Sequence, residues 1–227
     1  MSRLLLSLVL LAVPAFAADK AAEAKKPLVA VMYFDIQSAD PEAQFLRKGL
    51  LQMVTTDLVA QDPQVRVVDR DCLEEIMAEQ KLQSGKGFDQ STAVNLGQLL
   101  GANYLVSGTV LASKGSVMFM AQARSVELGQ VLWATKVSGP NEDVFDAEQK
   151  LVAGLIEALA KAEKFPPPEP VKHAAAKVPV KTLQKYGAAL DAIDKKDKAG
   201  AKAKLQEVVK EQPDFVLASL DLDKLMK

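Results

Sequence analysis

The stretch from Val65 to Val110, VRVVDRDCLEEIMAEQKLQSGKGFDQSTAVNLGQLLGANYLVSGTV, decides the fold. Val65 to Asp69 is a short, mostly apolar run bounded by turn residues, which reads as a strand. Asp71 followed three residues later by Glu74 gives the acceptor-and-acid arrangement that satisfies free amides at a helix start. Leu73, Ile76, Met77 and Gln80 then share one helical face. Ser84 to Gly87 breaks that helix, and Asp89 is placed to cap a second one. Its inner face is Ala93, Leu96, Gly97 and Leu100, and Gly101 ends it. Tyr104 to Leu111 returns as a strand. Strand, helix, turn, helix and strand thus follow one another with hardly a break, and no catalytic constellation sits among them.

Upstream, Leu28 to Phe34 is a continuous apolar run, too short for a helix, and reads as a buried strand followed by a loop from Asp35 to Glu42. From Pro41 to Gln61, Leu46, Leu50, Val54 and Leu58 recur every four residues with Met53 beside them, the stripe of a helix that covers one sheet face. Downstream the pattern turns antiparallel. Lys114 and Gly115 form a turn, Val117 to Glu127 a long strand, Leu128 and Gly129 a second turn, and Gln130 to Val137 a returning strand with Trp133 at its middle. Asn141 is expected to cap a final helix whose buried face carries Val144, Leu151, Leu155 and Leu159 and which stops before Pro166. The expected fold is α/β: a mixed sheet with an antiparallel meander covered by helices, plus a small all-α hairpin at the carboxyl end.

The chain opens with Arg3, an apolar run from Leu4 to Val13, Pro14, and the small-residue sequence Ala15, Phe16, Ala17, the layout of a secretory signal cleaved before Ala18. The run is far short of the ~20 apolar residues that a spanning helix needs, and no later segment reaches that length. Lipidation would need a cysteine at the cleavage point, whereas the one cysteine, Cys72, lies deep in the chain. The expectation is a soluble, unlipidated periplasmic protein divided into residues 1–17 (signal), 18–27 (flexible segment), 28–164 (α/β domain), 165–180 (linker) and 181–227 (helical tail).

A single cysteine cannot close an internal disulfide, and beside Leu73 in a first helical turn Cys72 reads as a small buried hydrophobe. With 49% hydrophobic and 25% charged residues the composition is that of a globular protein. Lysine and arginine number 28 against 29 acids, which argues against a nucleic-acid partner. The charge is split between 15 basic and 20 acidic residues over 18–165 and 12 basic and 9 acidic beyond, an acidic body with a mildly basic tail.

VAVMYFDIQSADPEAQFLRKGL, VVDRDCLEEIMAEQKLQSG, TAVNLGQLLGANYLVSGTV and ARSVELGQVLWA, taken in this order, resemble the periplasmic domain of the CsgG family, named for the curli-secretion component. Related domains occur in FlgO, in LpoB and at the amino terminus of TolB. The resemblance spans Leu28 to Leu159 and implies an α/β domain without known catalysis, used in envelope assembly through protein contact. The family's curli member is a lipidated pore that needs two membrane hairpins of ~9–11 residues per crossing. Only SGKGF and the turn at Gly115 offer insertion sites here, so a pore is not expected.

FPPPEPVKHAAAKVPV, Phe165 to Val180, reads as an extended, stiff linker. Beyond it Ala189, Ala201, Leu205 and Pro213 are similar in spacing to the small-residue and proline positions of a tetratricopeptide repeat, with Gly200 starting the second helix and Phe215 to Met226 a partial third. One repeat cannot bury its apolar face alone, so the tail is expected to dock on the main domain, on another subunit or on a partner. Leu183, Tyr186, Leu190 and Ile193 either line a concave partner-binding face or pack against the second helix.

Other chemistry is weakly supported. Ser84 to Gly87 lacks the glycine spacing of a phosphate loop, and His173 stands in the linker without metal-ligand companions. Asp35, Asp40 and Glu42 match no calcium loop, and no base is placed for a serine or cysteine nucleophile. No metal, cofactor or catalytic residue is assigned, and the chain is not read as an enzyme. It is read as a non-catalytic assembly or accessory protein whose partners are envelope proteins, with self-association as a further mode. The alternatives are a sensor or carrier of small ligands or wall fragments, its pocket built from Asp35 to Glu42 and Ser84 to Phe88, and an activator of a cell-wall synthase.

Overall fold

A computed structural model describes residues 26–80, 90–169 and 177–226. The signal at 1–17, the turn at Ser84 to Gly87, the Asp89 cap and His173 lie outside the described residues. The sheet holds β1 (Leu28–Val31), β2 (Asp35–Ser38), β3 (Arg66–Val67), β4 (Tyr104–Ser113), β5 (Ser116–Ser125) and β6 (Val131–Pro140). Its order is β3-β1-β4-β5-β6, with β2 also on β4. β1 runs parallel to β3 and β4, while β4, β5 and β6 form the antiparallel meander. Between β3 and β4 come the helices α2 (Arg70–Glu79) and α3 (Gln90–Leu99), in the order the sequence predicts; α1 (Leu46–Gln61) precedes them and α4 (Val144–Glu163) follows β6. The class is α/β with a mixed sheet, and the carboxyl end is helical.

The period-2 geometry of a strand sorts the first apolar run onto two faces. Val29 and Val31 join the larger core with α1 and α4, while Ala30 and Met32 join a smaller one with α2 and α3. The loop expected over Asp35 to Glu42 is corrected in its first half, because Asp35–Ser38 is β2, parallel to the far part of β4. Val31 pairs with Val106 and Asp35 with Thr109, so this side carries one residue more than β4 between the two pairings, a bulge. The bulge seats the Phe34 ring over Gly108, where a Cβ would stand 2.6 Å from the ring. Arg47 pins it by donating from Nε to the Phe34 carbonyl at 3.1 Å.

The helix starts differ from expectation. Pro41–Phe45 is a 3-10 turn that leads into α1, capped by Asp40, whose side chain accepts from the Glu42 amide. α2 has Asp69, not Asp71, at its cap position with no side-chain cap bond, because Glu74 is engaged by Tyr33 and Asp71 lies 3.2 Å from Arg70. Only Leu73 and Met77 of its expected inner face are fully buried, and Gln80 is exposed. Cys72 is also exposed, which corrects the expected burial: it sits on the side of α2 away from Leu73 and Met77. Asp143 caps α4 in place of Asn141, accepting from the Asp146 amide. Asn141 instead donates its side-chain amide to the Ser113 carbonyl at 2.7 Å and so ties β6 to the β4–β5 turn. The α4 stripe of Val144, Leu151, Leu155 and Leu159 is buried as its spacing predicts. Each such leucine contributes ~1.5–3 kcal/mol relative to exposure.

The tail forms α5 (Val180–Asp194), α6 (Lys198–Glu211) and α7 (Val216–Met226). α6 begins before Gly200, at an Asp197 cap whose carboxylate accepts from the Gly200 amide. Val178, at the end of the linker, is buried and accepts from the Val144 amide at 2.8 Å, so the tail is tied at its first residue to the start of α4.

Candidate interaction surface

The tail docks on the main domain, and the contact is built on two glycines. α5 crosses α1 where Gly187 meets the backbone of Phe45: a Cβ there would stand 1.9 Å from the Phe45 carbonyl oxygen. Opposite, a Cβ on Gly49 would stand 2.8 Å from the Leu183 carbonyl oxygen. The helices therefore touch backbone to backbone, closer than ridge-and-groove packing of larger side chains permits. The sequence reading did not single out Gly49 or Gly187; a glycine inside each of two helices was the available signal.

Leu183, Tyr186 and Leu190 are buried in the same core as α1 and α4, and Ile193 packs partly buried against it. The Tyr186 ring meets Phe215 edge to face at 5.1 Å, and its hydroxyl donates to Asp221 at 2.6 Å. Burial and the Asp221 carboxylate hold that phenol protonated by raising its pKa. In this arrangement Leu183, Tyr186 and Leu190 face the packed interior, with Ile193 partly buried at its margin.

An ion cluster locks the outer side of the seam. Lys48 reaches Asp191 at 2.9 Å and Asp194 at 2.7 Å, with Glu74 at 4.0 Å. Arg70 Nη1 contacts Asp194 at 2.5 Å. Burial alone would lower the Lys48 pKa, but its bonds to Asp191 and Asp194 overcome that and raise it. The reverse holds at Asp191, where burial raises and Lys195 and Lys48 lower the carboxyl to a net depression. Tyr33 donates to Glu74, and burial with that bond raises its pKa. Every charge here is spent on another charge of the same chain, so the cluster has the chemistry of a clasp.

A second buried acidic site lies between α1 and α4. The Gln149 amide donates both to Asp57 at 2.5 Å and to Glu148 at 2.9 Å, bringing the two carboxyls to one nitrogen. Glu148 is 0% exposed, and burial followed by Asp57 raises its pKa well above the ordinary carboxylate range. One shared proton between the two acids accounts for the arrangement. Among the described residues no group of three or more His, Cys, Asp or Glu converges as a metal site.

Two grooves flank the docked tail. One of about 620 Å³ lies between β2, the β4–β5 turn and the start of α5, with Ser38, Asp40, Lys114 and Lys181 on its walls. It uses part of the loop expected to form a pocket. The other, also about 620 Å³, runs along α5 and α6 and mixes Glu42, Lys185, Lys195 and Glu207. On the far side of the sheet Leu111, Met118 and Met120 are partly exposed on a face that α2 and α3 do not reach, bordered by Gln37 and Lys136.

Residues 15–118 match the family described as "Curli production assembly/transport component CsgG". The match runs from ahead of β1 into β5, a little under half of the chain, and stops short of the Leu159 limit of the sequence resemblance. No curated protein matches the chain significantly. Among solved structures, the chain is similar to the LpoB C-terminal domain from Escherichia coli at 13% identity, covering 50% of this chain and 82% of that one, TM-score 0.41. It is similar to TolB from Acinetobacter baumannii at 16% identity, covering 62% and 30%, TM-score 0.43. It is also similar to lipoprotein GNA1162 from Neisseria meningitidis at 17% identity, covering 60% and 98%, TM-score 0.42. Over residues 15–118, laid on the β1 to β5 part of the sheet, the chain is thus similar to the CsgG family.

Proposed function

We propose that this chain is a non-catalytic accessory protein of the bacterial cell envelope, exported to the periplasm by residues 1–17, that acts by protein contact in the assembly or secretion of a surface structure. The match to the curli assembly and transport family carries this reading. The geometry supports it in one respect. The seam's ionic groups are paired with one another, while large apolar side chains at Leu128, Leu132, Val216 and Leu220 face outward, the kind of surface that protein partners cover. Contact therefore belongs to the outer faces; a partner would reach Leu183, Tyr186 or Leu190 only if α5 lifted from α1.

The groove beside the β4–β5 turn favours a second reading, a carrier of a small ligand. Chemical cross-linking of the protein in envelope extract, followed by mapping of the linked peptides, separates the two when run beside a thermal-shift screen of sugars, wall fragments and nucleotides. The contact reading expects defined protein partners linked at outer residues and no ligand that raises the melting temperature. A reproducible ligand shift with no protein partner would replace it with the carrier reading.

A further inference from the structure

β6 is the outer strand of the sheet, and among the described residues its second edge has no partner. At ~3.3 Å per residue its ten residues offer an edge about 33 Å long. Natural sheets blunt such edges with lysine and proline. Here Lys136 and Pro140 lie in the second half of the strand; Val131 to Thr135 carries no charge and no proline, and its one interruption is a bulge at Leu132, since Trp133 pairs with Ala123 and Val131 with Arg124. That uncharged half is also where apolar side chains face solvent: Leu128 in the turn is 63% exposed, Val131 45% and Leu132 40%.

Below this half-strand the flank of α4 continues the surface. A shallow groove of about 500 Å³ is lined by Leu132, Trp133, Gly154, Glu157, Ala158 and Lys161. Ala158, one helical turn beyond Gly154, is small enough to let another helix approach closely. The Trp133 ring lies against Gly154, where a Cβ would stand 3.2 Å from it. Glu157 and Lys161 are spaced to pair with each other, yet neither has an ion-pair partner among the described residues.

We propose that this surface docks a second copy of the chain, with the two β6 strands pairing antiparallel within Val131 to Thr135 about a two-fold axis that passes beside Ala158. The argument for a copy of the same chain is self-complementarity. A two-fold interface applies one patch to itself, so its contents must satisfy each other. The strand edge does so through its own amides and carbonyls, the apolar rim covers an identical rim, and the small Ala158 allows the two α4 flanks to meet. The charges complete the match: an antiparallel pair of α4 helices sets Glu157 of each copy against Lys161 of the other. The proposal rests on the contact reading above and names one of its partners.

The test is sedimentation velocity on the purified full chain across roughly micromolar concentrations. A concentration-dependent dimer is expected. Glu157→Lys and Lys161→Glu should each weaken it by about tenfold or more through like-charge contact, and the double exchange should restore it. Val131→Lys should abolish it without changing the circular-dichroism melt; if that variant folds poorly, the three charge variants, which alter only exposed helical side chains, still decide. A chain that stays monomeric overturns the proposal, as does a dimer indifferent to these changes or one that the double exchange fails to restore. A monomer that still cross-links to envelope proteins would overturn this inference alone, whereas a dimer without envelope partners would count against the assembly reading and leave this one standing.

Discussion

At Gly187 two opposing effects can be compared by size. Alanine in a helix interior is favoured over glycine by ~1 kcal/mol, but a Cβ at this site would stand 1.9 Å from the Phe45 carbonyl oxygen, and a carbonyl in a packed turn cannot yield cheaply. Overpacking wins. Gly187→Ala should lower stability by about 1–3 kcal/mol in denaturant titration, followed by the fluorescence of Trp133, the one tryptophan. Glu148 gives the second residue-scale prediction. Its folded pKa lies above its ordinary value, so its contribution is fully present below that ordinary value and is lost as pH rises through the folded one. Glu148→Gln keeps the amide-to-carboxylate bonding without a proton to lose. The variant should be more stable than the parent at pH 8 by about 1–2 kcal/mol and flatter in its stability across pH 5 to 8; an equal pH slope in both proteins would show that the acid pair does not titrate.

Among the elements, the seam between α1, α2 and α5 depends on charges that are partly shielded, with side-chain exposure of 14% at Lys48 and 21% at Asp194. Their value falls between that of a solvent-exposed pair and a buried one. Asp194→Asn, which leaves Arg70 with only the exposed Asp71 and Lys48 with only Asp191 at close range, should cost about 1–3 kcal/mol and raise amide exchange across α5 more than across β4 and β5. Most elements could be read from the sequence, because the periods of 2 and 3.6 persist long enough: the α4 stripe and the β4–β5–β6 meander lie close to where residue spacing puts them. What could not be read depends on contacts distant in sequence. β2 is polar and four residues long, and only its pairing with β4 makes it a strand. The caps moved from Asp71 to Asp69 and from Asn141 to Asp143 because Glu74 and Asn141 are bonded to groups from other elements. The α1–α5 crossing was illegible for the same reason, since Gly49 and Gly187 have meaning only when they are opposite each other.

For the whole molecule, one apolar core runs from the sheet through α1 and α4 into α5, α6 and α7, joining Val29 and Phe119 to Tyr186 and Val208. The division into an α/β domain and a separate tail, natural from the proline-rich linker, therefore gives way to a continuous packed body whose linker ends are tied down at Pro166 and Val178. A chain ending before Val180 would leave the α5-facing side of α1, including Leu46 and Leu50, without its cover, and should be far less soluble than the full chain when the two are compared after purification. This continuity bears on function, since partners then meet a rigid outer surface and not a loose helical arm. Hydrogen–deuterium exchange of the full chain under native conditions tests this most directly. One cooperative body predicts that the α5 amides from Leu183 to Leu190 are protected to the same degree as those of α1 from Leu50 to Leu58. Exchange across α5, α6 and α7 that is orders of magnitude faster than in α1 would contradict it and return the tail to the role of a detachable contact arm.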